Sequence, residues 1–456
     1  MKKHLVIIVS VISLFSCHRP SNTGTMVKIN TVKVAAPFKM PAITIPDFSN
    51  CQKFLITDYG AVPGDKENTS KAIATAIAKA TVNGGTVIIP KGEWQTGKVH
   101  LKSNVNLHLE EGAVLSFSSN PNDYLPAVHT TWEGMECYNY SPLVYAYNCI
   151  NVAITGKGEL RAEMETWQKW FARPKAHMNS LKYLYDLAAK DVPVEQRQMV
   201  NDSANLRPQF IQFNRCQNVL MDGVSVKNSP FWTVHPYLCK NVVIRHVNIY
   251  AHGHNNDGVD PEMSENVLIE DCIFDQGDDA VSVKSGRDHD AWRLHTPSKN
   301  TVIRNCLVKN GHQLIALGSE LSGGIENVFI DNCEVVDGAK LNHLLFIKTN
   351  ERRGGYVKNI WMQNVKSGKI DLGILGIETD VLYQWKDLMP TYKRVLTPIS
   401  NIYLDNVHAT DVKFISRVKG QQELPVNNVV LKKVTADKVT DKNETLINVN
   451  NFKREL

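Results

Sequence analysis

Three aspartates in two short Gly-rich stretches carry the chemistry that this sequence advertises: Asp257 in Asn255-Asn256-Asp257-Gly258-Val259-Asp260, and Asp278 and Asp279 after Gly277. Further along stand His312 and Lys348. Two carboxyls flanking a glycosidic bond can act as general acid and general base. If the adjacent pair Asp278-Asp279 converges, like charge raises one pKa, so one member can keep a proton for the acid role. Taken singly, Asn-Asp-Gly and Gly-Asp-Asp are also ordinary turns. Their occurrence in consecutive units of a repeat, with His312 in the third, favours a site over a pair of turns.

That repeat sets the elements that must position the carboxylates. From Asn104 onward one phrase recurs: Asn, two residues, a branched apolar residue, and a Val or Cys six positions after the Asn. It starts at Asn218, Asn241, Asn266, Asn300, Asn327, Asn359, Asn401 and Asn428, and more weakly at Asn104 and Asn151. The intervals of 23, 25, 34, 27, 32, 42 and 27 residues are too irregular for fixed helical repeats but suit a solenoid with variable loops. Within each unit β-branched residues alternate, as in Val267-Leu268-Ile269. The expected fold is all-β, a parallel β-helix in which each coil stacks on the one before.

Counted from each opening Asn, Asp257 falls at offset 16, Asp278 and Asp279 at 12 and 13, His312 at 12 and Lys348 at 21. Trp232 and His235, at 14 and 17 in the preceding unit, extend the row. Stacked strands lie about 4.8 Å apart, so these groups are expected on one side of the solenoid within roughly 15 Å. The cysteines obey the same register. Cys272, Cys306 and Cys333 replace Val in three successive units, and Cys149, Cys216 and Cys239 each stand two before the Asn. The alternation with Val favours stacked buried thiols over disulfides, and the lack of Cys-x-x-Cys or clustered His spacing disfavours a metal site.

The chain has 456 residues, 43% hydrophobic and 21% charged, ample for one long core. Its formal charge of +5 is mild and dispersed, giving no basis for a nucleic-acid partner. Lys2 and Lys3 precede an apolar run from Leu5 to Phe15, which is too short to span a bilayer as a helix. The run ends Leu14-Phe15-Ser16-Cys17, so residues 1–17 read as a lipoprotein signal with Cys17 as the lipidated residue, implying a cell-envelope location. Residues 18–50, rich in Ser, Thr, Pro and Lys, are expected to be a linker. Residues 51–440 form the expected β-helix domain, with a capping helix over Lys71 to Ala80 and a helical insertion at about 161–205. Such an insertion more often walls a site than forms a separate domain. Residues 441–456 read as an exposed charged tail, and the molecule as a monomer.

These motifs resemble glycoside hydrolase family 28, the polygalacturonase family. Its Asn-Thr-Asp, Asp-Asp, Gly-His-Gly and Arg-Ile-Lys motifs appear as Asn255-Asn256-Asp257, Gly277-Asp278-Asp279, Gly311-His312-Gln313 and Phe346-Ile347-Lys348. The stretches Val283 to Asp288, Gly318 to Glu320 and Lys348 to Asn350 also resemble bacterial members. The resemblance implies a single-stranded right-handed parallel β-helix, no cofactor or metal, a pectic polysaccharide or oligosaccharide as substrate, and hydrolysis with inversion. It implies Asp278 as the acid, Asp257 and Asp279 as the groups that activate water, and His312 as the residue that controls Asp278's proton or orients a neighbouring hydroxyl. Lys348 would pair with a uronate carboxylate. Asn255, Lys284, Arg287 and Trp232 are further candidate sugar contacts, with His235 beside them. Two departures stand out, Gln313 for Gly and Phe346 for Arg. An apolar ring cannot pair with a carboxylate, so that recognition would pass to Arg352 or Arg353, or the substrate would be a deoxy sugar such as the rhamnose of rhamnogalacturonan. A β-helix lyase, and a surface glycan-binding lipoprotein without turnover, are the other readings. All three aspartates are present, which weighs against the latter. The insertion, closing one end of the groove, tilts the expectation toward exo action.

Overall fold

The computed structural model describes residues 27–389, 393–441 and 443–455; the signal segment and Cys17 lie outside them. The recurring Asn has a backbone and a side-chain reason. Asn218, Asn241, Asn266, Asn300, Asn327, Asn359, Asn401 and Asn428 all sit in the left-handed region, with φ between 56 and 62°, a conformation Asn tolerates better than most residues. Each amide then donates to the Asn of the preceding coil: Asn266 Nδ2 to Asn241 Oδ1 at 3.1 Å, Asn300 to Asn266 at 3.0 Å, Asn327 to Asn300 at 3.0 Å. A continuous amide ladder runs along one corner of the solenoid.

Two parallel sheets grow from this stack. One contains 21 strands among the described residues, most coils adding two. The other gains one strand per coil. It runs from Val99–Leu101 through Val144–Tyr147, Ile211–Asn214 and Val234–Tyr237, then Val281–Val283, Gln313–Gly318, His343–Lys348, Gly373–Glu378 and Phe414–Lys419. Single bridges at Val259 and Glu262 join its two halves. Inward-facing Val, Ile and Leu fill one core along the length, each contributing about 1.5–3 kcal/mol when fully buried. The cysteines belong to that core. The eight described are buried free thiols, and Cys272, Cys306 and Cys333 each approach a carbonyl of the preceding coil.

Helix α1 (Lys66–Asn83) caps the first coil, its N-terminus held by Asp65 accepting from the Asn68 N–H. The insertion forms α2 (Glu165–Lys169) and α3 (Lys175–Ala189). His177, Leu181, Leu184, Tyr185 and Ala188 make the buried stripe of α3. Part of that stripe packs on Trp132, Phe231, Trp232 and Trp385.

Two segments differ from expectation. The linker expected over 18–50 is, from Val27, a strap. Strands Lys28–Val32 and Ile43–Asp47 pair antiparallel, and Val34, Ile43, Ile45 and Phe48, with Phe38 and Met40 packed against them, form one cluster with an apolar stripe on the outside of the larger sheet, Ala153, Leu220, Val243, Leu268, Val302 and Phe329. Thr44 joins the amide ladder, donating to Asn218 at 2.5 Å and accepting from Asn241 at 2.6 Å. The tail expected from 441 instead adds a further coil, with strands Thr445–Ile447 and Val449–Glu455 in parallel register on their predecessors. Asn451 there takes the same left-handed φ, 57°. No helix among the described residues is long and apolar enough to cross a membrane.

Candidate active site

The site lies on the outer face of the smaller sheet. Ala280 and Val281, Leu314 and Ile315, and Leu344 and Leu345 point into the core as consecutive pairs, so the residue before each pair turns outward. The bridges Val234–Val259 and Val259–Val281, with the Gln313–His343 pairing, align Trp232, Asp257, Asp279, Gln313 and His343 in one row. Five residues further along each strand a parallel row carries Glu262, Lys284, Gly318 and Lys348.

The two lysines of that second row fold back over the sheet onto the carboxylates of the first. Lys284 Nζ, donating to Ser282 Oγ at 2.9 Å, lies 3.3 Å from Asp257, 3.5 Å from Asp260 and 3.5 Å from Glu320. Lys348 Nζ donates to Asp279 Oδ2 at 3.0 Å, while Asp279 Oδ1 is buried without a hydrogen-bond partner. His312 Nδ1 lies 3.0 Å from Asp278 Oδ1, with its ring more than half exposed. Asp257, Asp278, Asp279, Lys284, His312, Glu320 and Lys348, with Glu133, Arg173, His254, Asn255, Trp232 and Tyr383, line a cleft of about 250 Å³.

The charges follow from burial and neighbours. Burial pushes Asp257 up to about 7 against the pull of Lys284, and pushes Asp260, beside Asp257, well above the carboxylate range. Asp279 is raised by burial despite Lys348. Burial also lifts Asp278, but the hydrogen bond and charge of His312 outweigh it and hold this carboxyl below its ordinary range. His312 is raised to about 8 by its hydrogen bond to Asp278. The unliganded site therefore stores its protons on the Asp257–Asp260 pair and on His312, not on Asp278. Asp278, Asp279 and His312 have their ligand atoms within 4.8 Å of one another. The Lys348 ammonium at 3.0 Å already neutralises Asp279, which opposes a second cation there.

Several sequence-selected residues stand elsewhere than expected. His235 is fully buried, 2.9 Å from Glu262 and 3.1 Å from Gln212, behind the cleft. Lys284 is almost fully buried and is spent on three carboxylates, not left for sugar. Arg287 borders the cleft but is locked to Glu133 at 3.0 Å and Glu320 at 2.5 Å. Arg352 is buried, donates to the Met389 carbonyl at 2.6 Å and does not line the cleft; Arg353 pairs with Asp288 at 2.7 Å. Phe346 is likewise outside the lining, stacked on His343 with ring centroids 4.5 Å apart. Trp232 does line the cleft, under Lys284 at 4.5 Å from its ring centroid. Asn255 lines it too, its side-chain oxygen accepting from Arg207 at 3.1 Å. Asp260, Glu320, Glu133, Arg173 and Tyr383 escaped the sequence reading. Of these, Asp260 and Glu320 sit inside the stretches that carry the motifs.

Comparison with known proteins agrees with this geometry. Residues 194–455 match the model for glycosyl hydrolases family 28. The chain is 28% identical over 397 residues to a probable polygalacturonase of Vitis vinifera, covering 83% of this chain and 73% of the relative. It is 27% identical over 301 residues to an exo-poly-alpha-D-galacturonosidase of Dickeya chrysanthemi, covering 61% and 49%. Among solved structures, it resembles a hyperthermoactive exopolygalacturonase from Thermotoga maritima with a TM-score of 0.78 and 35% identity, covering 88% of this chain and 89% of that one. The family 28 exopolygalacturonase of Yersinia enterocolitica, 21% identical, shares the fold with a TM-score of 0.68, over 90% of this chain and 80% of that one. With a matched family model over more than half its length and three carboxylates gathered in one cleft, the chain belongs to glycosyl hydrolases family 28 and is a glycoside hydrolase.

Proposed function

We propose that this hydrolase cleaves galacturonic-acid-containing pectic chains in the polygalacturonase manner, from chain ends and with inversion. The observation that carries the reading is the cleft itself, where Asp257, Asp278 and Asp279 from adjacent coils face a floor held by Lys284 and Lys348. The likeness to the exopolygalacturonase of Thermotoga maritima supports it. Walls support the exo action: the hairpin Val128–Trp132/Met135–Asn139 brings Glu133, the insertion brings Arg173, and Tyr383 to Trp385 close a further side.

In the proposed reaction Asp278 protonates the leaving glycosidic oxygen as its bond to carbon breaks. The proton it gives is drawn from His312 along their 3.0 Å contact. Water attacks the sugar carbon and loses its proton to the Asp257–Asp279 side, where Asp279 Oδ1 has no other partner. Asp257 must first release the proton it holds up to about 7. A rhamnogalacturonan substrate loses its main support, because the Phe346 ring does not line the cleft.

Incubating the protein with polygalacturonate and with rhamnogalacturonan oligosaccharides, and separating products over time, tests the reading. Galacturonate released as monomer, with the anomer at first release inverted by NMR, is the expected result. Internal fragments would overturn the exo assignment, and an unsaturated product absorbing in the ultraviolet would indicate a lyase instead. On the sequence alone we also propose attachment to the cell envelope through Cys17. Loss of detergent-phase partitioning on Cys17→Ala is the expected outcome, and retained partitioning would refute it.

A further inference from the structure

Four arginine and lysine side chains line the cleft: Arg173, Lys284, Arg287 and Lys348. Three are neutralised by the protein's own carboxylates, Lys284 by Asp257, Asp260 and Glu320, Arg287 by Glu133 and Glu320, and Lys348 by Asp279. Among the described residues Arg173 alone of the four has no carboxylate within ion-pair distance. Its Nε is buried without a hydrogen-bond partner, so the protein itself leaves this guanidinium under-satisfied.

The placement of Arg173 is built by its surroundings. It sits on the turn between α2 and α3, beside Phe171, whose ring lies under the Arg207 guanidinium at 4.9 Å. Phe171 also closes on Gly253, where any β-carbon would collide with the ring at 2.3 Å. Asn205 Nδ2 donates to the Ala172 carbonyl at 3.1 Å. His254, kept neutral because burial and then the charge of Arg173 lower its pKa to about 4, accepts from Arg173 Nη2. One guanidinium edge is thus fixed by a neutral acceptor, and the positive charge has no direct ion pair, acting on Glu133 only at longer range.

We infer that Arg173 binds the carboxylate of an acidic sugar at its end of the cleft, and is the residue through which this chain selects uronic acid over neutral sugar. The inference rests on the galacturonate reading above and deepens it. An arginine fork suits a planar carboxylate, and charge-assisted pairing of this kind is stronger than a neutral hydrogen bond. It also accounts for a cleft that functions with Phe346 in place of a cation, since the carboxylate contact comes from the insertion instead.

The test uses Arg173→Gln and Arg173→Lys in the full chain, with kinetics on trigalacturonate and calorimetric binding of galacturonate and galactose. For Arg173→Gln the expected result is a KM raised roughly 10- to 100-fold with kcat little changed, Tm unchanged, and a matching loss of the preference for galacturonate over galactose. Arg173→Lys should recover part of both. An unchanged KM, or equal weakening for galacturonate and galactose, would overturn the inference. If the wild type does not hydrolyse trigalacturonate, the functional reading fails by itself, and the calorimetry still decides for Arg173. Galacturonate binding weakened by Arg173→Gln then supports it, and equal or absent binding refutes it.

Discussion

The two sheets of this solenoid present opposite outer faces. Outside the smaller sheet, successive coils place Asp257, Asp279 and Gln313 in a row and cover them with Lys284 and Lys348. Outside the larger sheet, the same coils place Leu220, Val243, Leu268 and Val302 in a row and cover them with Ile43, Ile45 and Phe48. Parallel stacking repeats any outward position every 4.8 Å or so, so each face lines its outward residues up into a stripe. What lies over the stripe then decides its use. Charge is tolerated where a lysine can fold back over it, and hydrocarbon where a strap excludes water.

Substitutions that exchange the properties of the two faces probe this difference. Asp279→Asn should lower kcat about 10²- to 10⁴-fold with substrate binding retained, read by initial rates and calorimetry; retention of most activity would refute its role. Leu268→Asp, which puts charge under the strap with no lysine to meet it, should cost about 3–5 kcal/mol of stability and leave kcat/KM of the folded fraction unaltered, measured by denaturant unfolding. Asn300→Ala removes two rungs of the amide ladder that serves both faces, each 3.0 Å long, and leaves Ala in a left-handed backbone. A loss of about 1–3 kcal/mol is expected, with activity preserved.

The smallest effect is in pH. The rate should rise as Asp257 loses its proton near 7 and fall as His312 loses its own near 8, giving a narrow bell in kcat/KM; His312→Gln should remove the alkaline limb. Stability should respond as well. Asp257 is raised on folding from 3.8 to about 7, so the folded chain holds the extra proton, and this contribution is lost as pH rises across that window. His312, raised from 6.5 to about 8, contributes fully below 6.5 and loses its contribution as pH passes 8. Asp257→Asn should flatten the first slope, and an unchanged Tm profile between pH 4 and 7 would contradict the shift.

How much of this was legible depended on whether a residue's reason was local. The opening Asn was readable because the left-handed φ and the amide ladder both demand that side chain, and it fixed the coil register. Offsets from it then aligned Asp257, Asp279 and Trp232 correctly. Offsets do not report depth, however, so they place His235 and Lys284 beside the sugar contacts although both are buried in ion pairs. The strap was read as a tether because Ile43, Ile45 and Phe48 are sparse among Pro, Ser and Thr. Its trace was in its partners: Leu268 lies between inward Val267 and Ile269, where an exposed strand would carry a polar residue. Arg173 lies on an insertion outside the repeat, where no offset could place it.

A stack of coils joined only to neighbours opens rung by rung from its ends. The strap changes that for the middle of this chain, because it joins one apolar cluster with the outward residues of six coils, from Ala153 to Phe329. Opening any of these coils also disturbs the cluster that the strap completes. Amide hydrogens over this span should therefore exchange as one cooperative unit, while coils beyond Trp361 exchange in graded steps toward the C-terminus. The aspartates and His312 fall within that span, so the spacing between them is held by a segment that never touches them.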